Sequence, residues 1–407
     1  MASITFERTD GNLGRLPASE DSFSALLVVC HSDFLSANKQ FEFTSKKQAY
    51  EKLELEGTFF EEDGDIDEFI FYQISEFFRI QPNARLLVRF SVPSFSDNVF
   101  ADEIVNMQRD VFGQIRQIGV FIIPDTLGVE GTFGDGTPYA TYMQPMQSLQ
   151  DAAIQARTEN FPLSVLYAGK TSNVTVLSNL FGQREEMSFD NVSLVIGGET
   201  ENNLLQNQTS YVGTHASLGA ALGTVSKAKV HENIGWVERF NTGINEAALF
   251  INNQTIKIST LSEVDLEALT QGGYIFPRKY TGLSGTYWND SPTLTALTSD
   301  FAYIENNRTL DKAIRQTRIL LLPSLNSPIY LNADGTLTAK DISRLSVISR
   351  KALEQMQRDG EVSNFSIFID PTQNVLSTSE IEIEMEVQPV GVARKLNVKI
   401  GFAANVA

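Results

Sequence analysis

Near its end the chain alternates strictly between apolar and acidic residues. Ile381, Ile383, Met385 and Val387 interleave with Glu380, Glu382, Glu384 and Glu386, the period-two pattern of a strand with one dry face and one wet face. After Pro389-Val390-Gly391 a second run puts Val392, Leu396, Val398, Ile400 and Phe402 on one face and Lys395 and Lys399 on the other. Chain ends fray unless something ties them down, so two such strands need a sheet. They close a hairpin inside their own domain, or one of them is donated to a neighbour through main-chain hydrogen bonds.

Upstream the pattern changes twice. Residues 1–22 hold a short alternating piece, Ile4-Thr5-Phe6, then Gly11, Gly14 and Pro17, too little apolar surface for a core and best read as an arm. From Phe23 to Gly198 short aliphatic runs (Leu26–Val29, Leu86–Val92, Ile118–Ile123, Leu163–Ala168, Val192–Ile196) are separated by segments of helical period (Ser45–Leu55, Asp67–Arg79, Asp102–Gln117, Met143–Thr158). That alternation predicts an α/β domain with a mostly parallel sheet and helices on its faces. Ala216 to Gly223, rich in small residues, reads as a tightly packed helix, since its glycines cost stability unless close approach uses them.

The last 150 or so residues form an α+β block. Ser262-Glu263-Val264-Asp265 has the form of a capping box, and Gly272-Gly273 ends the helix it opens. Strand and turn follow over Ile275–Tyr287, then helix over Ser299–Leu322 up to Pro323. Thr338 caps a helix to Gly360, with Ile342, Leu345, Ile348, Leu353 and Met356 at helical spacing. Phe365–Ile369 is a strand. The expected division is an arm (1–22), an outer α/β domain with its connecting region (23–253), and an α+β core domain (254–407) whose terminal strand spans about 392–407.

Composition narrows the function classes. A hydrophobic content of 42% excludes a disordered chain, and a net charge of −18 with pI near 4.7 argues against nucleic-acid binding. A single cysteine, Cys30, rules out an intrachain disulfide. The polar start MASITFERTDG lacks the apolar core of a signal peptide, and no aliphatic run approaches a membrane span, so the expectation is a protein made in the cytoplasm without membrane insertion.

The charge is unevenly spread. Residues 308–360 contain nine basic and five acidic side chains, a balance of +4 against −22 for the remainder. Such a basic helical region is either a solvated face or a docking surface for an acidic partner.

Candidate chemistry is sparse. Gly169-Lys170-Thr171 sits like the end of a phosphate loop, but Ser164 occupies the place of the first glycine and Val165, Leu166 and Tyr167 fill the cradle. The acidic run Glu61 to Glu68 fails the calcium-loop pattern, with Glu68 at the sixth position and Ile74 at the twelfth, and reads as carboxylates before a helix N-terminus. Cys30 and His31 are adjacent and point to opposite faces of a strand, while His31, His215 and His231 lack ligand spacing. The glycine-rich run from Gly128 to Gly136 reads as a surface loop. No catalytic, cofactor or metal site is expected, and Lys170 anchors the one enzyme alternative, a nucleotide-dependent activity on the α/β domain.

The block after Leu261 resembles a known family. Leu261-Ser262-Glu263-Val264-Asp265-Leu266-Glu267-Ala268-Leu269, then Gly272-Gly273-Tyr274-Ile275, Gly282-Leu283-Ser284-Gly285-Thr286-Tyr287-Trp288 and Phe301-Ala302-Tyr303-Ile304-Glu305-Asn306-Asn307-Arg308 resemble, in order, the tail sheath protein of contractile phage tails and related contractile injection systems. The following helix pair and terminal ribbon agree with it.

The resemblance implies a structural subunit that stacks as hexameric rings around an inner tube and contracts to drive that tube through a target envelope, without any cofactor. Other subunits of the same chain, the inner tube protein, and baseplate and terminator or cap proteins are the implied partners. The implied location is the cytoplasm during assembly, then a virion tail or a released or envelope-associated injection particle. Another self-assembling tail or baseplate part is the alternative within the class. Carried onto this chain, Ile4 and Phe6 and, at the other end, Val392, Leu396, Val398, Ile400 and Phe402 become linking-strand residues. Arg344, Arg350, Lys351 and Arg358 become the candidate tube-facing surface.

Overall fold

The computed structural model describes residues 20–29, 39–55, 64–91, 99–122, 140–168, 184–199, 216–251, 254–398 and 400–402. Two compact units make up the chain, Met1–Lys312 and Ala313–Ala407.

In the first unit the five aliphatic runs become β1 (Ser24–Val29), β3 (Leu86–Ser91), β4 (Gln117–Ile122), β5 (Ser164–Ala168) and β6 (Val192–Val195), and Gln40–Phe43, which no aliphatic run marked, forms β2. Between them lie α1 (Lys46–Leu55), α2 (Gly64–Ile80), α3 (Val99–Asp110) and α4 (Ala140–Thr158). Every residue of β1, β5 and β6 is buried, as expected of parallel strands covered on both faces.

After β7 (Gly198–Glu199) come α5 (Leu218–Lys227), the hairpin β8 (Ala247–Ile251) and β9 (Gln254–Lys257), α6 (Glu263–Gln271) and β10 (Tyr274–Ile275). The main sheet runs β10-β6-β5-β4-β1-β3-β2, parallel throughout except for β2 on the outer edge. Because β10 pairs with β6, a strand from beyond residue 254 belongs to the α/β sheet. The units divide between Lys312 and Ala313, inside helix α7 (Ile304–Leu321).

The small-residue segment is the tight helix its composition predicts. Ala220, Ala221, Leu222 and Val225 of α5 are buried, and its glycines meet α2 backbone to backbone. Gln73 of α2 caps α5 from outside: Oε1 accepts from the Gly219 amide at 2.7 Å and Nε2 donates to the Ala216 carbonyl at 3.1 Å. On the other side Trp288, fully buried, donates its indole N–H to Thr224 Oγ1 at 3.0 Å.

One predicted helix is shorter than its period. The segment 102–117 leaves the helix at Asp110, turns through Phe112 (φ 53°) and Gly113 (φ 72°), and enters β4 at Gln117. Gly113 is needed twice over, for its left-handed backbone and because a Cβ there would strike the Phe161 ring.

Capping worked as read. Ser262 Oγ accepts from the Asp265 amide and the Asp265 carboxylate accepts from the Ser262 amide, the reciprocal box that satisfies two orphan N–H groups.

Sequence pattern gave no sign of Arg184, which is 2% exposed. Its guanidinium donates to three carbonyls, those of Thr295 (2.9 Å), Gln271 (3.0 Å) and Thr293 (3.1 Å), tying the end of α6 to the segment after Trp288. Burial pulls its pKa below the ordinary arginine value. Arg184→Met strands three carbonyls that lose their donor at once. The expected destabilisation is about 3–4 kcal/mol, read as a lower urea midpoint with an unchanged slope; a midpoint equal to the parent's contradicts it.

The second unit consists of the end of α7, then α8 (Ala339–Arg358), β11 (Val362–Phe368), a helical turn at Val375–Thr378 and β12 (Glu384–Pro389). β11 and β12 pair antiparallel, Phe365 opposite Val387 and Ile367 opposite Met385. These four half-buried side chains pack on Ala313, Leu353, Met356 and Val362. A second small core gathers Leu337, Leu345, Ile369 and Val375, with Ile381 and Ile383 against it.

Candidate interaction surfaces of the carboxy-terminal unit

The alternation at the chain end is realised over its first run only. Ile381, Ile383, Met385 and Val387 are half-buried, and Glu380, Glu382, Glu384 and Glu386 are exposed. From Glu384 onward this run finds its partner in β11, so the hairpin is closed by an upstream strand and not by the second run. Residues 391–398 and 400–402 belong to no strand. Within them Leu396 (82%), Val398 (83%), Ile400 (95%) and Phe402 (112%) stand fully in solvent, while Val392 is half-buried.

A two-stranded sheet is marginal by itself, and among the described residues both outer edges of the β11–β12 pair carry no further strand. Unpaired N–H and C=O groups along such an edge are a template for another chain. An apolar alternating segment with no sheet and a short sheet with free edges thus occur in one unit. Ile4 and Phe6 lie outside the described residues.

Helix α8 carries the second surface. Thr338 caps it, Oγ1 accepting from the Asp341 amide. The Asp341 carboxyl is buried, which opposes ionisation, yet hydrogen bonds from Thr338, Tyr330 and Arg344 outweigh burial and hold it below the usual range. Leu345, Ser349, Ala352, Leu353 and Met356 turn inward. At 3.6 residues per turn, Lys340, Arg344, Val347, Lys351 and Arg358 fall within an arc of about 60° on the opposite side.

Three of the four residues expected on this surface therefore share one stripe. Arg350 falls about 60° outside it, its guanidinium 5.7 Å from the Phe365 ring centroid. Arg344 is committed locally, donating to Asp341 and to Ser324 Oγ at 3.3 Å each. Lys340 and Lys351 are exposed and form no ion pair with the described residues. Lys340 and the 64%-exposed Val347 complete the stripe, and the spacing 340, 344, 347, 351, 358 was the signal available for finding them.

Two other basic residues of the 308–360 segment serve the interior of the first unit. Arg308 is 4% exposed and donates to the carbonyls of Ala228 and Lys229, and Lys312 pairs with Asp21 at 2.7 Å. Residues 313–407 hold ten basic and ten acidic side chains, so the whole net charge of −18 belongs to residues 1–312.

Lys170, Cys30, His31, His215 and residues 128–136 lie outside the described residues, as do Glu61, Glu62 and Asp63, while Gly64–Glu68 form the first turn of α2. Among the described residues no group of three or more His, Cys, Asp or Glu side chains could hold a metal ion, and no helix is long and apolar enough to cross a membrane.

Residues 115–292 match DUF2586, N-terminal domain, and residues 300–407 match DUF2586, C-terminal domain. No curated protein matches the sequence. Among solved structures, the helical sheath of the anti-feeding prophage in its contracted state aligns over 99% of both chains at 12% identity and a TM-score of 0.61. The contracted sheath complex of PVC, an extracellular contractile injection system, aligns over 99% of this chain and 98% of that one at 9% identity and 0.58. The crystal structure of a sheath tail protein from Desulfitobacterium hafniense aligns over 96% and 100% at 10% identity and 0.52. At these identities the likeness is one of fold, and it spans both units.

Proposed function

Since the chain belongs to the DUF2586 family, whose two domain matches together take in more than half of it, and aligns in fold with sheath subunits over 99% of its length, we propose that it is a structural sheath subunit. It polymerises around an inner tube as a helical stack of hexameric rings and contracts to drive that tube through a target envelope. The observation that carries this reading is that Leu396, Val398, Ile400 and Phe402 stand exposed in the same unit as a two-stranded sheet whose outer edges, among the described residues, carry no further strand. A monomer gains nothing from this arrangement, whereas strand addition between copies satisfies both halves at once.

In this reading the terminal segment of one copy pairs with the β11–β12 sheet of another, and Ile4 and Phe6 belong to a linking strand at the other end. Contraction needs no bond cleavage: a lattice assembled in a metastable packing releases free energy as its globular parts repack while the strands keep neighbours joined. Baseplate and terminator proteins bound the stack at its ends. Assembly takes place in the cytoplasm, and the finished particle is a virion tail or a released or envelope-associated device.

The stripe of Lys340, Arg344, Lys351 and Arg358 is the tube-facing surface, with an acidic patch of the tube protein as its counterpart. Reversal at three freely exposed positions, Lys340→Glu, Lys351→Glu and Arg358→Glu, leaves the unfolding midpoint unchanged, because surface substitutions away from special contacts move stability by about 0.5 kcal/mol or less. The same triple variant fails to assemble on the tube. Electron microscopy of the chain co-expressed with its neighbouring tube protein tests both points: striated tubes of normal length from the variant sink the surface assignment, and dispersed subunits from the parent chain sink the sheath reading.

A further inference from the structure

At the first described residues of the first unit, polar side chains from several elements converge on three residues, Glu20–Ser22. Lys312 of α7 pairs with the Asp21 carboxylate at 2.7 Å, and both side chains are largely buried, at 14% and 12% exposure. The Asp21 carbonyl accepts from Gln117 Nε2 at 3.2 Å and from Arg308 at 3.5 Å. The Ser22 carbonyl accepts from Ser226 Oγ of α5 at 2.7 Å and from Ser24 Oγ at 3.1 Å. Arg116 holds the Glu20 carboxylate at 2.6 Å.

A chain held by apolar packing peels away residue by residue. One held by directional bonds, several of them charge-assisted, resists until the set breaks together. Nothing about folding β1 requires so dense a set at its entrance, since β1 is already buried along its length between β3 and β4. Two of the holders, Arg308 and Lys312, lie on α7, and that helix continues to Leu321, nine residues past the division between the units.

We propose that Glu20–Ser22 is a tension anchor: pull on the residues that precede it passes into helix α7 through Lys312 and Arg308 instead of unzipping β1 from the sheet. Its use between subunits rests on the sheath reading, in which the amino-terminal arm links neighbours that move during contraction. The anchor itself is a property of the single chain.

Optical-tweezer pulling of the unassembled full-length chain tests it, with handles on Ala2→Cys and Leu322→Cys in a Cys30→Ser background. Lys312→Met keeps the stem and removes the charge, and Asp21→Asn is nearly isosteric. In either variant the first rupture opens about tenfold faster at a given load, the effect of losing one buried charge-assisted bond. Arg109→Ala, which removes an exposed ion pair with Glu159, leaves that rupture unchanged. First-rupture loads equal to the parent's in both anchor variants overturn the proposal, as does an equal drop in the Arg109 control. Failure of the parent chain to form tubes with its tube protein counts against the sheath reading alone, because the pulling experiment needs no assembly.

Discussion

A chain lacking residues 392–407 folds as the full-length protein does and forms no tubes. The truncated residues include Ile400 and Phe402, the two most exposed large apolar side chains among the described residues, and those that are described pair with no strand, so their removal takes little from the monomer's core. In the assembly proposed above they would supply the main-chain hydrogen bonds that hold copies together, each worth about 0.5–1.5 kcal/mol net and repeated at every junction. The loss of assembly is therefore complete while the unfolding midpoint stays within measurement error. Negative-stain microscopy beside a urea titration reads both. A milder variant, Val398→Asp with Ile400→Asp, keeps the backbone and places charges on the face that must enter a sheet; fewer and shorter tubes are the expected result. Tubes of normal length from the truncated chain would falsify strand linkage by this segment.

Gly219→Ala destabilises the first unit, against the ordinary rule for helices. Alanine in a helix interior is favoured over glycine by about 1 kcal/mol. At this position, however, an added Cβ lies 2.6 Å from the carbonyl carbon and 2.8 Å from the Cα of Gln73, nearer still to the carbonyl oxygen, and all three are backbone atoms that no rotamer change can move. Relief requires α5 and α2 to separate, which also breaks the two hydrogen bonds from the Gln73 side chain. Overpacking and the lost cap outweigh the propensity gain, for a net loss of about 2–3 kcal/mol. Gly223→Ala, whose Cβ meets the Phe77 carbonyl oxygen at 2.9 Å, loses less. Gly391→Ala has no heavy atom within 4 Å of its Cβ and serves as the neutral control. Equal urea midpoints for Gly219→Ala and Gly391→Ala would remove the close-packing explanation.

Much of the fold was legible because its signals are local. Unbroken aliphatic runs marked the parallel strands, and Ser262 and Thr338 announced helix starts through their own side chains. Glycines at 219 and 223 announced a close crossing without saying what crosses. Arg184 could not be read, because its three acceptors are carbonyls 87 to 111 residues away and a carbonyl is present whatever the side chain. The basic segment was visible as a count, but helical phase and burial were needed to sort it. Arg308 and Lys312 serve the interior, Arg350 rests over an aromatic ring, and Lys340, Lys351 and Arg358 remain in solvent. The division near residue 254 followed a change in pattern, whereas the compact units divide inside a helix that no pattern interrupts. The terminal ribbon shows the limit most plainly, since alternation tells that a strand wants a sheet and not whose.

The confinement of the net charge of −18 to residues 1–312 would give the proposed stack a further property. Packing many copies side by side concentrates like charge on one unit of each, making the particle a polyelectrolyte whose counterions must be gathered as neighbours draw together. With a screening length of about 8 Å at physiological ionic strength, the work of bringing two such units into contact falls as salt rises, so the surrounding electrolyte sets part of the free-energy gap between a loose and a compact packing.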